Sequence, residues 1–600
     1  MQFQRTKTYR YLRLLIHRGI KWLSARISQR NYQILVAIAI GIVAGLAAVV
    51  LKLSVATVRG WMQGNDPTHG KVGFVFFPII GILLTRLYLR YGLRRPLDMG
   101  SAGLIYAISR KKVNLPSFET FAHLISSSLT VGFGGSVGLE APIVRTGSAI
   151  GSNLARMLRV GRKRQTLFLA CGAAAGLAAI FNSPVAGMIF AFEILITDIG
   201  LPAFIPLLIS SATGAVVARY FYYEQLFYLP THGWTIETIP FFILAGIFCG
   251  FYSTYLIRSI PAFDGWIKSI QRPWVKLLTG GLALGLLIFL MPPLFGEGYE
   301  TINQFFQGNF SDVLENSLFY RFAEDNVWVI IVFAVVILLA KSAATSFTIA
   351  LGGNGGIFAP SMFAGGTLGF VLAASFNQLG FIQLPVADFV AVCMAGILSG
   401  VIKAPLTGIF LIAEITGGYS LFVPLMIVSA TSYFVTFYFE PQSIFTRTLY
   451  AKGIWAPSHE KDKVILQNMS LLPLVESNFS VLNPKQTLGE FVQIIAQSKR
   501  NLFPVVDDEE EFLGIILLDD VREVMFQPQL YEEILVADLF HQPPAILQYD
   551  DPMEKVMALF EEHQAWNLPV VKEGKYLGFI SKSTILGHYR ELLQERSVSM

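Results

Sequence analysis

From about residue 32 to residue 438 the chain alternates long apolar runs with short polar or glycine-rich interruptions. The first run, YQILVAIAIGIVAGLAAVVL at 32–51, has no Lys, Arg, Asp or Glu. As a helix it is long enough to cross a hydrocarbon layer of roughly 30 Å. The repeated pattern predicts a polytopic, all-helical membrane domain. In the last quarter short apolar strands alternate with acidic turns and helical stretches, and 23 of the 41 Asp and Glu residues fall in 457–600. The pattern divides the chain into a basic segment 1–32, a membrane domain 33–452, a linker 453–472 and a soluble α/β domain 473–600.

Composition strengthens this division. The chain is 53% hydrophobic and only 14% charged, with a positive mean hydropathy, too apolar for a soluble globule. Residues 1–30 hold eight Lys or Arg and no acid. A signal peptide needs a longer apolar centre, and the positive-inside rule predicts a cytoplasmic N-terminus. The basic loop RMLRVGRKR at 156–164 is assigned to the same side, as is the soluble domain. Cys171, Cys249 and Cys393 lie in apolar runs at no metal-ligand spacing, so neither a disulfide framework nor a metal site is expected. The net charge of +5 comes without a basic, aromatic-interleaved stripe for nucleic acid. With no zinc helix, phosphate loop or nucleophile–base pair, no enzyme activity is expected.

Two motifs recur in order. GGSVGLEAP at 134–142 returns as GGNGGIFAP at 352–360, an offset of 218 from residue 140 to residue 358. NSPVAGMIFAFEI from Asn182 returns as KAPLTGIFLIAEI from Lys403, an offset of 221 from residue 184 to residue 405. The membrane domain is therefore a duplication. Transporter repeats commonly pack about a pseudo-two-fold axis with broken helices meeting near mid-membrane, and an inverted arrangement is expected.

Glycine clusters ending in Ala-Pro make poor helix interiors but good helix starts. Each stretch reads as an extended loop feeding a helix whose free N–H groups face a cavity and attract anions. Close helix packing by small residues is the competing reading. It leaves the matched prolines and the acid in one copy unexplained. Glu193 and Glu414, equivalent in the second pair, read as acids that satisfy buried backbone donors at the subunit or repeat contact.

These residues resemble the chloride channel and chloride/proton exchanger family known as CLC. The likeness runs from about residue 35 to residue 452 through GSAGL at 100–104, GLEAP at 138–142, FNSPVAG, GGIFAP at 355–360 and KAPLTG. It implies a homodimer in a lipid membrane with a chloride path inside each subunit. Glu140 stands at the family's gating glutamate, with Gly138 beside it in the anion-binding stretch. Ser101 stands at the serine bounding the inner site, and the amides of Ile357 and Phe358 at those contacting the central anion. Phe445 stands where the family has a late tyrosine, unless Tyr450 takes that place. A carboxylate competes for N–H donors as an anion does, and protonation releases it. The alternative for Glu140 is a structural pairing with Arg145.

Ile194 stands where the family's exchangers often carry a second acid, immediately after Glu193. Together with Phe445 it favours passive chloride conduction; a chloride/proton antiporter is the alternative. A cation transporter is a remoter one, because it needs several converging oxygen ligands.

In the tail, NLFPVVDDEEEFLGIILLDDV from Asn501 returns as WNLPVVKEGKYLGFISKSTI from Trp566, each copy reading as strand, turn, strand and helix. This resembles a CBS-domain pair. No cofactor is required; the resemblance leaves two readings open, a sensor that binds an adenine nucleotide and a purely structural, dimer-supporting domain. Asp520 and Ser581 are the candidate contacts, although Leu517 and Thr584 depart from the nucleotide signature.

Overall fold

The computed structural model describes residues 27–63, 67–95, 97, 103–105, 113–195, 201–222, 233–314, 317, 326–380, 382–417, 419–451, 466 and 469–598. Ser101, residues 1–26 of the basic segment and most of the linker lie outside the described residues. The chain divides into two compact units, Met1–Lys452 and Gly453–Met600.

In the first unit the helices follow one another as α1 (Gln29–Gln63), α2 (Pro67–Leu87), α3 (Glu119–Gly132), α4 (Glu140–Met157), α5 (Arg162–Phe181), α6 (Pro184–Phe190) and α7 (Phe204–Phe221). A second set then runs α8 (Ile239–Ser269), α9 (Pro273–Leu290), α10 (Tyr299–Gln307), α11 (Val327–Ala350), α12 (Phe358–Leu379), α13 (Val386–Ile402), α14 (Pro405–Ile415), α15 (Phe422–Phe439) and α16 (Arg447–Ala451). Among the described residues nine helices are long and apolar enough to cross a membrane, and three apolar helices at Pro184–Leu195, Val386–Ile402 and Pro405–Ile415 are shorter.

The second half repeats the neighbours of the first. α4 packs on α5 as α12 does on α13, α5 on α7 as α13 on α15, and α1 on α7 as α8 on α15. Small residues bring the first of these pairs together at backbone distance. A Cβ on Gly147 would collide with the carbonyl of Gly172, and one on Gly151 with that of Phe168. At the 218-residue offset, a Cβ on Gly365 would collide with the Cys393 carbonyl and one on Gly369 with that of Phe389. Without a hydrophobic drive between helices in lipid, such close approach supplies the packing energy.

The equivalent segments run antiparallel where they meet. Gly138 N–H donates to the Gly356 carbonyl at 2.9 Å and Gly356 N–H to that of Gly138 at 2.8 Å. Around this bridge the hydrogen bonds come in equivalent pairs. Ser136 N–H donates to Thr348 Oγ1 at 3.1 Å and Asn354 N–H to Thr130 Oγ1 at 3.0 Å. Gly135 N–H reaches the Thr130 carbonyl and Gly353 N–H that of Thr348. Gly134 and Gly352 open the two loops with φ of 90° and 96°, a conformation that glycine adopts freely. A local two-fold relation between Gly138 and Gly356 therefore links the equivalent loops of the two halves, the arrangement expected of inverted repeats.

The second unit contains α17 (Leu488–Gln497), β1 (Leu502–Val506), β2 (Phe512–Leu517), α18 (Leu518–Val521), β3 (Leu547–Gln548), α19 (Met553–Glu562), β4 (Asn567–Lys572), β5 (Lys575–Ser581) and α20 (Lys582–Val598). β1 and β2 pair antiparallel, as do β4 and β5, each pair with a bulge at the second valine of its Pro-Val-Val. β3 joins β4 in parallel. Each copy closes its own core, Phe491, Phe503 and Ile516 in the first and Phe560, Leu568 and Ile580 in the second. Glu476, ahead of the first copy, bridges to Phe579 of the second.

Gly147→Ala puts a methyl group into backbone that has no room to yield, so it should destabilise the membrane unit by about 1–3 kcal/mol. Thermal unfolding of the detergent-purified protein checks this. A midpoint equal to wild type would show that α4 and α5 part without cost.

Candidate functional site

The site begins where the bridged loops end. Leu139 and Ile357 are the N-cap residues of α4 and α12, and Glu140 and Phe358 are the equivalent first residues of the two helices. The earliest intrahelical bonds are Ile143 N–H to the Leu139 carbonyl and Ser361 N–H to that of Ile357. Pro142 and Pro360 sit in the first turns without a donor. The preceding N–H groups of Glu140, Ala141, Phe358 and Ala359 therefore have no intrahelical acceptor. Two helix N-termini thus converge inside the membrane unit.

A small cavity at this point is lined by Glu140, Ala141, Val144, Leu177, Phe190, Ile357, Phe358 and Phe445. Four of the residues singled out in the sequence, Glu140, Ile357, Phe358 and Phe445, meet there. The Phe358 ring packs against Phe181 and Phe190, with centroids 5.7 and 6.4 Å away. Phe445 is buried in the cavity lining and carries no hydroxyl, whereas Tyr450 is 39% exposed and does not line the cavity.

Glu140 is 2% exposed. Its Oε1 accepts a hydrogen bond from the Tyr299 hydroxyl at 2.6 Å, and the amides of Glu140 and Ala359 stand close to the carboxylate. Its Oε2 fills the space that a Gly138 side chain would need. Gly138 therefore has a different job from the anion contact expected of it. Its N–H is committed to Gly356, and what it contributes is room for the carboxylate. Ser101 lies outside the described residues.

Arg145 does not pair with Glu140. Its Nη2 stands 3.3 Å from Glu119 Oε2, both residues being buried, and His123 Nε2 is 3.9 Å from the same oxygen. His123 Nδ1 meets Asn354 Nδ2 at 3.2 Å. Lys341, at the 218-residue offset from His123, donates to Ser136 Oγ at 3.0 Å, and Ser136 is the equivalent of Asn354. Each half thus sends a basic side chain to the glycine loop of the other. Glu297 Oε1 accepts from Leu139 N–H at 3.2 Å. Sequence reading missed Glu119, Glu297, Tyr299 and Lys341. The available signal was FGEGYE at 295–300, a third glycine-rich stretch with acids in apolar surroundings.

At the second repeated pair, α5 and α13 end on left-handed residues, Asn182 and Lys403, and proline restarts each chain as a short helix. The exposed donors are met reciprocally. Glu414 accepts from Val185 and Ala186 N–H at 3.1 and 2.9 Å. Glu193 accepts from Leu406 and Thr407 N–H at 3.2 and 2.9 Å and from Thr407 Oγ1 at 2.7 Å. A carboxylate against a helix N-terminus is favoured by both hydrogen bonding and the dipole. This is the capping job read from the equivalence of the two acids.

In the second unit, Asp520 Oδ2 accepts from Leu517 N–H at 2.9 Å and meets His541 Nε2 at 3.0 Å. Ser581 Oγ lies 2.8 Å from Thr584 Oγ1 and 3.3 Å from Glu476 Oε1. The hydrogen bond from Thr584 is the main influence holding the Glu476 carboxyl below the usual carboxylate range, and Arg500 adds to it. Both candidate contacts are already engaged, and an ionised carboxylate stands beside Ser581.

A family model described as voltage gated chloride channel matches residues 98–436, and the CBS domain model matches 474–527 and 536–591. The chain is 22% identical over 558 residues to chloride channel protein CLC-f of Arabidopsis thaliana, covering 82% of this chain and 69% of that protein. It is 28% identical over 336 residues to the H(+)/Cl(-) exchange transporter ClcA of Vibrio parahaemolyticus, covering 53% and 67%. Among solved structures, that of a slow cyanobacterial Cl-/H+ antiporter superposes with a TM-score of 0.60 at 20% identity, covering 71% of this chain and 98% of that one.

Glu414→Gln and Glu193→Gln each replace a charged acceptor with an amide that turns a donor toward a helix N-terminus. Each should cost about 1–3 kcal/mol. Thermal unfolding in detergent reads this, and unchanged midpoints for both variants would remove the capping role.

Proposed function

The chain belongs to the voltage gated chloride channel family, and from that premise we propose that it carries chloride across a membrane passively, along a path that Glu140 gates. One observation carries the reading. A carboxylate, itself an anion, lies where the free N–H groups of α4 and α12 converge on a cavity also lined by Ile357, Phe358 and Phe445. Helix N-termini favour anions, so an ionised Glu140 competes with chloride for the same donors. Protonation removes its charge and ends the competition. The reading includes a homodimer in which each subunit carries its own path. The basic residues of 1–30 assign the N-terminus, and the soluble unit with it, to the cytoplasmic side.

Passive conduction is favoured over exchange because Ile194 holds the position at which the family's exchangers often carry a second acid. Ile194 is aliphatic, and its neighbour Glu193 already accepts three hydrogen bonds at the start of α14. Phe445 offers no hydroxyl to hold an inner anion. The exchange transporter among the relatives keeps chloride/proton antiport as the second reading. The cation reading is disfavoured because a single carboxylate lines an otherwise apolar cavity, and a hard cation takes several oxygen ligands.

Reconstitution into liposomes with chloride and proton fluxes recorded together tests both points. The expected outcome is chloride flux with no uphill proton movement, and with less pH dependence in Glu140→Gln. A chloride gradient that drives protons uphill at a fixed ratio establishes the exchanger. A Glu140→Gln protein with wild-type flux and pH response removes the gate.

The C-terminal CBS pair acts as a structural module. An anionic nucleotide would have to displace the partners of Asp520 and Ser581 and lie beside the charged Glu476. Saturating ATP should therefore leave the thermal midpoint unchanged, since a ligand of the folded state raises it by mass action. A concentration-dependent rise would make the pair a nucleotide sensor.

A further inference from the structure

The stretch FGEG at 295–298, ahead of α10, has no part in the gate as described so far, yet it is strapped to it. Gly296 N–H donates to the Gly134 carbonyl at 3.1 Å. Lys341 Nζ donates to the Gly296 carbonyl at 3.3 Å and to Ser136 Oγ at 3.0 Å. The Phe295 ring occupies the space that a Gly134 side chain would need. Glu297 Oε1 accepts from Leu139 N–H at 3.2 Å. Gly298, at φ 87°, then turns the chain into α10. Its missing side chain leaves room for the Phe363 ring. Residues 295–298 are thus fixed along the loop 134–139, and the next residue is Tyr299.

We propose that Tyr299 is the latch of the gate, its hydroxyl holding the ionised Glu140 carboxylate over Gly138 against the repulsion of Glu297. This rests on the gating role given to Glu140 above. The Tyr299 hydroxyl donates to Glu140 Oε1 at 2.6 Å, a short bond of the charge-assisted kind. Glu297 stands within electrostatic range of Glu140, and is itself faced by Arg59, Lys341 and Lys52. Two carboxylates this close oppose each other, so an ionised Glu140 stays in place only while a donor offsets that repulsion. The latch distinguishes the two states of the gate. It is strong toward a carboxylate and weak toward a neutral carboxyl, and protonation loosens it at the moment the charge is lost. Tyr299 acts through Glu140 and is a positioning residue.

The test is a double-mutant cycle on chloride efflux from liposomes at neutral and acid pH. At neutral pH Tyr299→Phe, which removes one oxygen, should raise efflux about tenfold, as befits losing a hydrogen bond to a charged group. The gain should fade at acid pH, where protonation already frees Glu140, and vanish in the Glu140→Gln background. Glu140→Asp withdraws the carboxylate by one methylene and breaks the same contact from the other side. It should also raise neutral efflux and make Tyr299→Phe silent, so a poorly folded Tyr299 variant leaves the contact testable. An unchanged neutral efflux in Tyr299→Phe, or the same gain in the Glu140→Gln background, would overturn the latch. If Glu140→Gln itself leaves flux and pH response unaltered, the gating reading fails, and it fails independently of Tyr299.

Discussion

The pair of hydrogen bonds between Gly138 and Gly356 is the contact on which the membrane unit turns. Hydrocarbon offers no partner to a backbone N–H or C=O, so irregular backbone survives at depth only where protein satisfies it. Here the two breaks in the helical structure satisfy each other. Gly138 and Gly356 exchange both bonds, and the threonines of α3 and α11 take the Ser136 and Asn354 amides of the opposite loop. Because each loop is completed by its equivalent, neither has a satisfied state alone. The duplication thus supplies each loop with the partners it needs, and it brings two helix N-termini to one cavity.

The same logic accounts for the buried charges. A lone charge in such surroundings is costly, and paired or hydrogen-bonded charges are tolerated where they hold geometry. Lys341 bonds Ser136 and Gly296 and lies 4.5 Å from the Phe363 ring centroid. Arg145 and His123 share Glu119, and Glu193 and Glu414 each close the other repeat's short helix. Lys341 ends on a glycine loop and Glu193 and Glu414 end on helix starts, so these charges are placed where backbone would otherwise lack a partner.

How much of this was legible follows from how local each signal is. Glycine-Ala-Pro frames and the 218- and 221-residue offsets are written in consecutive residues, so the duplication, the broken helices and the identity of Glu140 and Phe358 as counterparts could be read directly. The capping by Glu193 and Glu414 was also readable, because equivalent acids beside proline-started helices imply orphan donors nearby. What escaped was set by tertiary contact between stretches far apart in the chain. Arg145 faces Glu119 rather than Glu140, Gly138 spends its amide on Gly356, and Tyr299 reaches Glu140 across 159 residues. Spacing along a helix suggests Arg145 as a partner for Glu140, but the carboxylate folds back over Gly138 and leaves that face.

Where the repeats agree they build a frame, and where they differ they make the site. Gly138 and Gly356, Thr130 and Thr348, and Gly147 and Gly365 are identical pairs, and all of them hold backbone. Glu140 and Phe358 occupy the same first position on equivalent helices and differ completely. Two acids there would repel each other across a cavity lined mostly by apolar side chains. Two phenylalanines would leave the free N–H groups with no internal anion to compete for them. One of each gives a fixed aromatic wall, packed on Phe181 and Phe190, opposite a charge on a flexible stem. The frame can be symmetric because its task, satisfying backbone in lipid, is the same in both halves. The site must break that symmetry, because a gate needs one part that stays and one that moves.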